Sequence, residues 1–320
     1  MVSVVILSWN GGDDLYNCVQ HVLAQSYAAI ELIIVDNGST DGSLEPVLPL
    51  LGERAVLRNA SNLGYARGMN QGIALAHGEY ILLLNQDAFA APDFVEQGVR
   101  AFEADDGVGM VAATVLAIEN GNRSEVMTNA GIFLRKRMKP RGNKDREATR
   151  VLGPSWCSAF ARRAMLEDVK CPIYGDYLDE DYFSYQEDVD FSLRMALRGW
   201  SCVYVPELRV WHLGSGSFGG ERSLVNKPPY IRRHALKNRY LTIVKNMPLE
   251  LLLLWSFYLV IAEIGLWMYL GLKSPSTLGD LFSAYIGFVR LLPKAIRRRK
   301  AIQARRIISV GQLRRLFVGF

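Results

Sequence analysis

The sequence predicts an α/β fold in which a mostly parallel sheet carries helices on both faces, followed by a helical C-terminal region. In the first hundred residues, short apolar runs alternate with stretches of helical periodicity, the pattern of βαβ units. Polar residues follow the end of each apolar run, as in open α/β sheets that bind ligands at one edge. The length of 320 residues allows one large domain or two modest ones with a sizeable core.

The first unit consists of two buried strands, predicted over Val2–Ser8 and Ile30–Val35. Between them the spacing i, i+3, i+4, i+7 and i+8 predicts a helix whose apolar face is Leu15, Cys18, Val19, Val22 and Leu23. Gly11–Asp14 is therefore expected to be a loop, with Asp13 or Asp14 as the N-cap.

A second unit follows the turn at residues 36–39: a helix from about Tyr65 to Ala76 that stops before Gly78, then a strand over Glu79–Leu84. Parallel strands end at one edge of a sheet, so the segments behind the three strands are expected to converge there. They are Ser8-Trp9-Asn10, Asp36-Asn37 and Asn85-Gln86-Asp87.

The middle of the chain, about residues 106–222, is less regular, and its basic stretch Arg135–Arg150 is expected to be a mobile loop. A helical face formed by Val189, Leu193, Ala196 and Leu197 and ended by Gly199 places Glu187 and Asp188 at a helix N-terminus. Asp190 is expected to cap that helix, and the acidic run at residues 179–181 to be solvated.

Charge is distributed unevenly along the chain. Residues 273–320 hold 11 Lys and Arg against a single acid, whereas the rest holds 26 bases and 31 acids, for a net charge of +5. This asymmetry indicates a surface-binding tail, with anionic lipid as the favoured partner. Nucleic acid is disfavoured, because no aromatic residue is interleaved with the basic residues between Phe288 and Phe317.

Residues 249–272 are almost wholly apolar and long enough to span a bilayer at about 1.5 Å per residue. Glu250 and Glu263 interrupt the run, and both flanks are basic, which disfavours a simple crossing. A monotopic or re-entrant membrane segment with a lipid-facing basic tail is the preferred interpretation, and a buried helical subdomain is the alternative. The start of the chain lacks the features of a signal peptide, and the four cysteines show no Cys-x-x-Cys spacing, so a cytosolic setting is expected.

Two acidic sites suggest the chemistry. Asp87 follows a strand, where a carboxylate can hold a divalent ion and a diphosphate. About a hundred residues downstream, Gln186-Glu187-Asp188-Val189-Asp190 can supply a general base. Together they indicate a metal-held nucleotide opposite a base.

Five segments in order over about residues 1–220 resemble the inverting family 2 glycosyltransferases, especially the bacterial rhamnosyltransferase-like branch that builds cell-surface polysaccharides. They are residues 5–10 (VILSWN), 35–43 (VDNGSTDGS), 62–72 (NLGYARGMNQG), 84–87 (LNQD) and 182–190 (YFSYQEDVD). The resemblance implies a GT-A-type doubly wound, mixed but mostly parallel sheet. It also implies a nucleotide-sugar-binding half at 1–105, an acceptor-binding and catalytic-base half at 106–222, and a helical membrane-associated region at 223–320.

The implied reaction moves a sugar, L-rhamnose by analogy, from a nucleotide diphosphate donor to a lipid-linked or polysaccharide acceptor. The implied setting is cell-envelope glycan synthesis at the cytoplasmic face of the membrane. Inverting transfer is a single displacement in which one carboxylate takes the proton of the attacking hydroxyl. Asp188 is the predicted general base and Glu187 its rival.

The resemblance also assigns the donor site. Asp36 and Asn37 match the pair that contacts base and ribose, and an Asx-turn at the end of the strand is the alternative. The other predicted nucleotide-sugar residues are Ser8, Asn10, Asn62, Gly64, Asn70 and Gln86. Asp87 and His212 are the predicted ligands of Mg²⁺ or Mn²⁺. Asn85 stands where many members carry a second aspartate, so this chain has one anionic ligand fewer.

Two other functions are possible from the residues alone. A nucleotidyltransferase would also use a doubly wound sheet and acidic metal ligands, but the loop at residues 8–14 lacks the basic residue expected for triphosphate binding. A catalytically inactive, membrane-tethered scaffold is the non-enzymatic alternative, since Asn85 weakens the metal motif.

Overall fold

The computed structural model describes residues 1–51, 55–214 and 224–319. Its strands are β1 (Val2–Ser8), β2 (Ile30–Asp36), β3 (Ala55–Arg58), β4 (Tyr80–Asn85), β5 (Ala88–Ala90), β6 (Val108–Glu119), β7 (Asn122–Asn129), β8 (Ile132–Leu134), β9 (Pro140–Gly142), β10 (Arg150–Val151), β11 (Ser158–Arg162) and β12 (Ser201–His212). Its α-helices are α1 (Gly12–Leu23), α2 (Leu48–Leu51), α3 (Tyr65–Leu75), α4 (Phe94–Ala104), α5 (Arg163–Val169), α6 (Glu187–Leu197), α7 (Pro229–Asn246), α8 (Leu249–Lys273), α9 (Leu278–Ala304) and α10 (Val310–Arg315).

One mixed sheet of ten strands organises the chain, in the order β10-β12-β6-β11-β4-β1-β2-β3, with β5 paired to β12 and β7 to β6. The strands β4, β1, β2 and β3 are parallel, and β11 is inserted antiparallel between β4 and β6. The predicted mostly parallel sheet is therefore confirmed. Because the sheet runs from β3 through β12, the predicted halves at 1–105 and 106–222 share it, and the boundary predicted at 222–223 lies outside the described residues.

The register of the parallel strands places the predicted polar segments level with one another. Ser8 lies opposite Asp36, and Leu7 lies opposite Asn85. These central strands are apolar on both faces because helices cover both sides of the sheet. The carboxyl ends of β1, β2 and β4 thus form one edge, as the sequence predicted.

The first helix begins earlier than predicted. Gly11 is the N-cap of α1, so Asp13 and Asp14 lie in its first turn, where their charge complements the helix dipole instead of capping. The buried face of α1 is formed by Leu15, Cys18, Val19 and Val22 as expected.

The expectation of a mobile loop over Arg135–Arg150 is wrong. The short strands β8 and β9 form a hairpin that overlaps this stretch, and β10 pairs with β12. Leu134 and Met138 are buried in a cluster with Trp255 and Phe317 from the C-terminal region. Part of the stretch is therefore packed against elements distant along the chain, β12 and the C-terminal region, which its polar local composition does not indicate.

The acidic residues around α6 are mostly buried in an ion cluster. The Lys245 ammonium of α7, whose side chain is 1% exposed, bonds Asp179 and lies 2.8 Å from Asp190. Asp190 also accepts from Arg194 at 3.0 Å and Asn246 at 2.7 Å. The expectations that Asp190 caps α6 and that Asp179 is solvated are therefore wrong, because both carboxylates pair with cations from distant helices.

The apolar run forms the single helix α8, long and apolar enough by length and composition to cross a membrane. Only 11% of its most apolar window is buried, which disagrees with the alternative of a buried helical subdomain. Glu263 lies on the inner side, where it accepts from Tyr240 at 2.8 Å and pairs with Arg239 at 3.2 Å. The charge in the apolar run is thereby neutralised within the protein.

We predict that Lys245→Met lowers the free energy of unfolding by about 3–5 kcal/mol, because it leaves two buried carboxylates without their shared cation. Lys300→Met removes an exposed lysine and is expected to change the free energy by less than about 0.5 kcal/mol. Urea denaturation followed by tryptophan fluorescence measures both. Equal midpoints for the two variants would show that the cluster contributes nothing to stability.

Candidate active site

The loop after β4 is tied to the loop after β1 through Gln86. The Trp9 amide donates to Gln86 Oε1 at 2.8 Å, and Gln86 Nε2 donates to the Trp9 carbonyl at 3.2 Å. Gln86 was predicted to contact the nucleotide sugar, but this pairing uses its amide to hold two loops together.

The loop after β1 is also fixed to the loop after β2. Asn10, at a φ of 48°, accepts from the Thr40 amide at 2.8 Å and donates its own backbone amide to Ser39 Oγ at 2.9 Å. The Gly12 amide donates to Asp41 at 3.0 Å. The Asn10 side-chain oxygen thus helps shape the edge.

Ser8 and Asp36 lie opposite each other at this edge. Asp36 is buried, and its Oδ1 accepts from the Ser39 amide at 3.1 Å in the Asx-turn that the sequence allowed. Within the described ranges, nothing hydrogen-bonds the buried Ser8 Oγ. Buried polar atoms normally have a partner, so an unpaired hydroxyl beside a carboxylate indicates a ligand position.

The Asn37 side chain is fully occupied by protein groups. Its Oδ1 accepts from Asn59 at 3.1 Å and from the Leu63 amide at 3.0 Å, and its Nδ2 donates to Asn62 at 3.0 Å and to the Gly64 carbonyl at 3.2 Å. A primary amide has two donors and one acceptor oxygen with two lone pairs, so nothing is left for a base. The predicted direct contact of Asn37 is therefore corrected to a supporting role, and Asn62 is its partner.

Gly64 and Asn70 connect the donor side to the acidic segment before α6. Gly64 has a φ of 85°, and a Cβ there would lie 2.6 Å from Phe183. Asn70 donates to the Leu178 carbonyl at 2.9 Å and accepts from the Leu178 amide at 2.8 Å. Both residues thus position residues 178–183, where the prediction had them beside the nucleotide.

Asp87 and His212 lie together although 125 residues separate them. The end of β12 pairs with β5, and His212 Nε2 lies 3.1 Å from Asp87 Oδ1. Burial lowers the pKa of His212, but the charges of Cys157 and Asp87 outweigh it and raise the pKa well above its usual range. A proton on His212 therefore supplies the positive charge that Asp87 faces.

Asp14 is a neighbour of this pair that the sequence did not single out as functional. Burial, followed by the negative charge of Asp87, raises the pKa of the Asp14 carboxyl. Its position in the first turn of α1, directly behind the loop after β1, is the signal that could have placed it at the edge.

Asp87 and His212 fit a divalent ion that also binds the diphosphate of a ligand. Within residues 1–51, 55–214 and 224–319, no three His, Cys, Asp or Glu side chains group as a metal cage. Mg²⁺ and ions like it are often bound by one or two carboxylates together with substrate phosphates and water. One carboxylate and one imidazole therefore suit an ion that shares its coordination with a bound diphosphate, and the imidazole favours Mn²⁺ over Mg²⁺.

Glu187 and Asp188 begin α6 as predicted, in different surroundings. Glu187 is 8% exposed, its Oε2 has no hydrogen-bond partner among the described residues, and burial followed by the charge of Asp188 raises its pKa to about 8. Asp188 is partly exposed, and one of its oxygens accepts from the Val189 amide at 2.8 Å. Burial raises the pKa of Asp188 as well, against that hydrogen bond.

Besides burial, the charges of acids from the two ends of the site raise the pKa of one phenol, that of Tyr65. Tyr65, the first residue of α3, donates its hydroxyl to the Trp156 carbonyl at 3.1 Å. Burial and then the charges of Glu187, Cys157, Asp188 and Asp87 raise the Tyr65 pKa well above its usual range. The charges of Asp87 and Asp188 thus both contribute to the pKa of Tyr65.

The segment before α6 has an unusual backbone. Phe183, Tyr185 and Gln186 have φ angles of 63°, 72° and 69°, values that residues other than glycine rarely adopt. Nδ2 of the buried Asn238 in α7 lies 2.9 Å from the carbonyls of residues 182 and 184 and 2.7 Å from that of residue 185. Sequence reasoning missed Asn238, because a single asparagine in a helical pattern carries no local signal.

Comparison with known proteins supports one chemistry. Residues 3–170 match the family model described as Glycosyl transferase family 2. The chain is 37% identical over 115 residues to glycosyltransferase GlyG of Streptococcus pneumoniae, a match that covers 34% of this chain and 38% of GlyG. It is 26% identical over 251 residues to the N-acetylglucosaminyl-diphospho-decaprenol L-rhamnosyltransferase of Mycobacterium tuberculosis, covering 68% of this chain and 78% of that protein.

Solved structures share the fold at low identity. The TarS 1–349 structure of S. aureus in complex with UDP has a TM-score of 0.58 at 15% identity, covering 95% of this chain and 90% of TarS 1–349. The mannosyltransferase PcManGT of Pyrobaculum calidifontis, in complex with GDP-Man and Mn²⁺, has a TM-score of 0.54 at 17% identity, covering 95% and 84%. The mixed sheet is thus of the GT-A kind.

We predict that Glu187→Gln changes how stability depends on pH. The folded-state pKa of Glu187, about 8, is above its ordinary value of 4.5, so between these pH values the unfolded chain loses a proton that the folded chain keeps. This lowers the free energy of unfolding as pH rises, by up to about 1.4 kcal/mol per pH unit. Glu187→Gln should therefore gain stability relative to the parent protein from pH 5 to pH 8.

Urea denaturation at several pH values measures this difference. The exposed carboxyl of Glu207 provides the control, since Glu207→Gln should leave the pH dependence unchanged. Parallel curves for Glu187→Gln and the parent would mean that Glu187 is ionised at neutral pH.

Proposed function

This chain belongs to glycosyltransferase family 2, and on that premise we propose that it transfers L-rhamnose from a nucleotide diphosphate donor to a lipid-linked or polysaccharide acceptor. Glycosyl transfer from a nucleotide sugar follows from the family. The mycobacterial rhamnosyltransferase, with its decaprenol-linked substrate, supports the finer assignment to a deoxy sugar and a lipid diphosphate in cell-envelope glycan synthesis.

The observation that supports this site is the contact between the donor side and the segment that leads to Asp188: the Ala66 amide donates to the Phe183 carbonyl at 3.2 Å. A donor whose diphosphate lies at Asp87 would present its anomeric carbon towards the start of α6. The nucleoside would then lie along the edge where the Ser8 hydroxyl has no partner among the described residues and the Asp36 carboxylate lies opposite it.

The proposed reaction is a single displacement. The acceptor hydroxyl attacks the anomeric carbon, the bond to the nucleotide diphosphate breaks, and the hydroxyl proton passes to Asp188. Asp188 is preferred to Glu187 because it is partly exposed, whereas Glu187 is buried and carries a proton at neutral pH. Asn238 positions the segment that leads to Asp188 through its hydrogen bonds to the carbonyls of that segment.

Asp87 and His212 are the residues that would hold a divalent ion. When bound, such an ion supplies positive charge to the departing diphosphate. His212 pairs with Asp87 in the structure, and its imidazole would give up the proton on Nε2 to coordinate the ion.

We further propose that α8 rests on the cytoplasmic face of the membrane as a peripheral, monotopic segment. Its exposed apolar side chains are Leu249, Leu253, Leu254, Phe257, Val260, Ile261, Ile264, Met268 and Leu272. Apolar surface of this extent is unusual on a soluble monomer. The basic residues of the tail complement anionic lipids, and a lipid-linked acceptor would be confined to the same plane.

We predict that Asp188→Asn lowers turnover at least about 100-fold while the affinity for nucleoside diphosphate stays within about twofold, because it removes the base and leaves the donor side intact. Release of nucleoside diphosphate from a panel of nucleotide sugars measures turnover, and calorimetry with UDP, dTDP and GDP measures binding. Glu187→Gln is the matched control and should retain more activity. Turnover by Asp188→Asn near the parent level would exclude the assignment, and no release by the parent would favour the inactive-scaffold alternative.

We predict that Asp87→Ala abolishes the Mn²⁺-dependent part of nucleoside diphosphate binding. In the parent protein, ligand that binds only the folded state raises the melting temperature, by about 2–4 °C per kcal/mol for a protein of this size class. Thermal-shift titrations with and without Mn²⁺ measure the increment, and Asp13→Ala, at an exposed position nearby, is the control. An unchanged Mn²⁺ increment in Asp87→Ala would show that the ion binds elsewhere or not at all.

A further inference from the structure

An open groove of about 460 Å³ lies between the start of α8 and the C-terminal half of α9. Three cations line it, Arg299, Lys300 and Arg306, together with the single acid Glu250. It is remote from the candidate active site, none of whose residues line it.

Backbone carbonyls hold Arg299 in place, and the groove has one acid, Glu250, for its three cations. Arg299 Nη1 donates to the carbonyls of Val244 and Met247 at 2.6 Å each, and these bonds fix the guanidinium at the end of α7. Arg306 Nη1 is buried without a hydrogen-bond partner among the described residues, and Arg306 Nη2 lies 3.9 Å from the nearest acid oxygen, on Glu250.

Lys300 is exposed on α9. Burial lowers the pKa of Arg299, the charge of Glu250 opposes this, and the charge of Arg306 adds a smaller lowering contribution. Other basic residues of the same region are satisfied differently: Arg298 pairs with Asp176 and Lys294 with Asp181. A buried guanidinium nitrogen without an acceptor is costly unless an anion completes it.

The groove opens onto the exposed apolar face of α8. Leu249 lines the groove, and Leu253, Phe257, Val260 and Ile264 follow it at spacings of three or four residues, so they form one stripe along the helix. A molecule that fits both features has an anionic head and an apolar body.

We propose that this groove binds the phosphodiester headgroup of an anionic membrane lipid, with the acyl chains along α8. The proposal rests on the membrane-surface arrangement proposed above and adds a discrete site to it. The phosphate oxygens accept hydrogen bonds from Arg306 and Lys300, and α8 lies at the level of the acyl chains. The lipid is a component of the bilayer, not the acceptor of the reaction.

Short-chain lipids that stay monomeric test for a discrete site, since they present one headgroup without a charged surface. The full chain is titrated with dihexanoyl phosphatidylglycerol, dihexanoyl phosphatidylcholine and glycerol phosphate, with calorimetry as the readout. We expect binding of phosphatidylglycerol and much weaker binding of the other two. Equal binding of glycerol phosphate would overturn the lipid assignment in favour of a simple anion site.

Three variants locate the site. Lys300→Gln and Arg306→Gln should each weaken phosphatidylglycerol binding roughly tenfold, as expected for loss of a charge-assisted hydrogen bond. Arg297→Gln removes the same charge from an exposed position of the same helix and should change binding less than about twofold. An equal effect of Arg297→Gln, or none from Lys300→Gln, would overturn the proposal, and Lys300→Gln cannot fail for lack of folding because its side chain is exposed.

Two further measurements distinguish lipid binding from the proposed glycosyl transfer and from dimer formation through α8. Release of nucleoside diphosphate by Lys300→Gln should equal that of the parent protein, so a failure of glycosyl transfer and a failure of lipid binding are distinguishable. Size-exclusion chromatography with light scattering reports whether a second copy covers α8. A stable dimer that does not bind phosphatidylglycerol would overturn the proposal.

Discussion

The structure of the site depends on how α7 holds the acidic segment in front of α6. Lys245 lies between Asp179 and Asp190, and Asn238 Nδ2 donates to the carbonyls of residues 182, 184 and 185 in the segment with positive φ angles. Buried charges and strained backbone persist only where partners compensate them. Since the family match ends at residue 170, these partners come from a part of the chain outside it. The C-terminal helices are therefore part of the active-site framework as well as a surface.

Three acids in one helical turn acquire three different electrostatic environments. Burial with no cation beside it raises the pKa of Glu187 to about 8, whereas Lys245 and Arg194 outweigh burial and hold the pKa of Asp190 well below its usual range. Asp188 lies between these extremes, partly exposed and bonded to the helix N-terminus. Environments that separate the pKa values of neighbouring acids are how a site assigns different tasks to chemically similar groups. Here they leave one carboxylate open to an incoming hydroxyl.

On the donor side, side-chain amides form most of the hydrogen bonds that hold the site together. Few polar atoms remain to bind a ligand. Asn37, Gln86 and Asn70 use their side-chain donors and acceptors to join loops that come from different strands. The unpaired Ser8 hydroxyl and the Asp36 carboxylate lie inside that framework. A ligand held by so few groups requires them to be placed accurately, and the surrounding amide network provides that placement.

The sequence alone determined the strand of residues 2–8, the helix that begins at Tyr65 and the position of Glu187 and Asp188 at a helix start, because periodicity and terminal residues act over a few positions. Strand ends could also be aligned at one edge, since parallel strands leave little freedom. Tertiary structure decided that Asp190 is paired, that Arg135–Arg150 is ordered and that the Asn37 amide is fully occupied. Those outcomes depend on contacts between groups that are distant in the sequence. Local composition does not indicate which distant groups will meet.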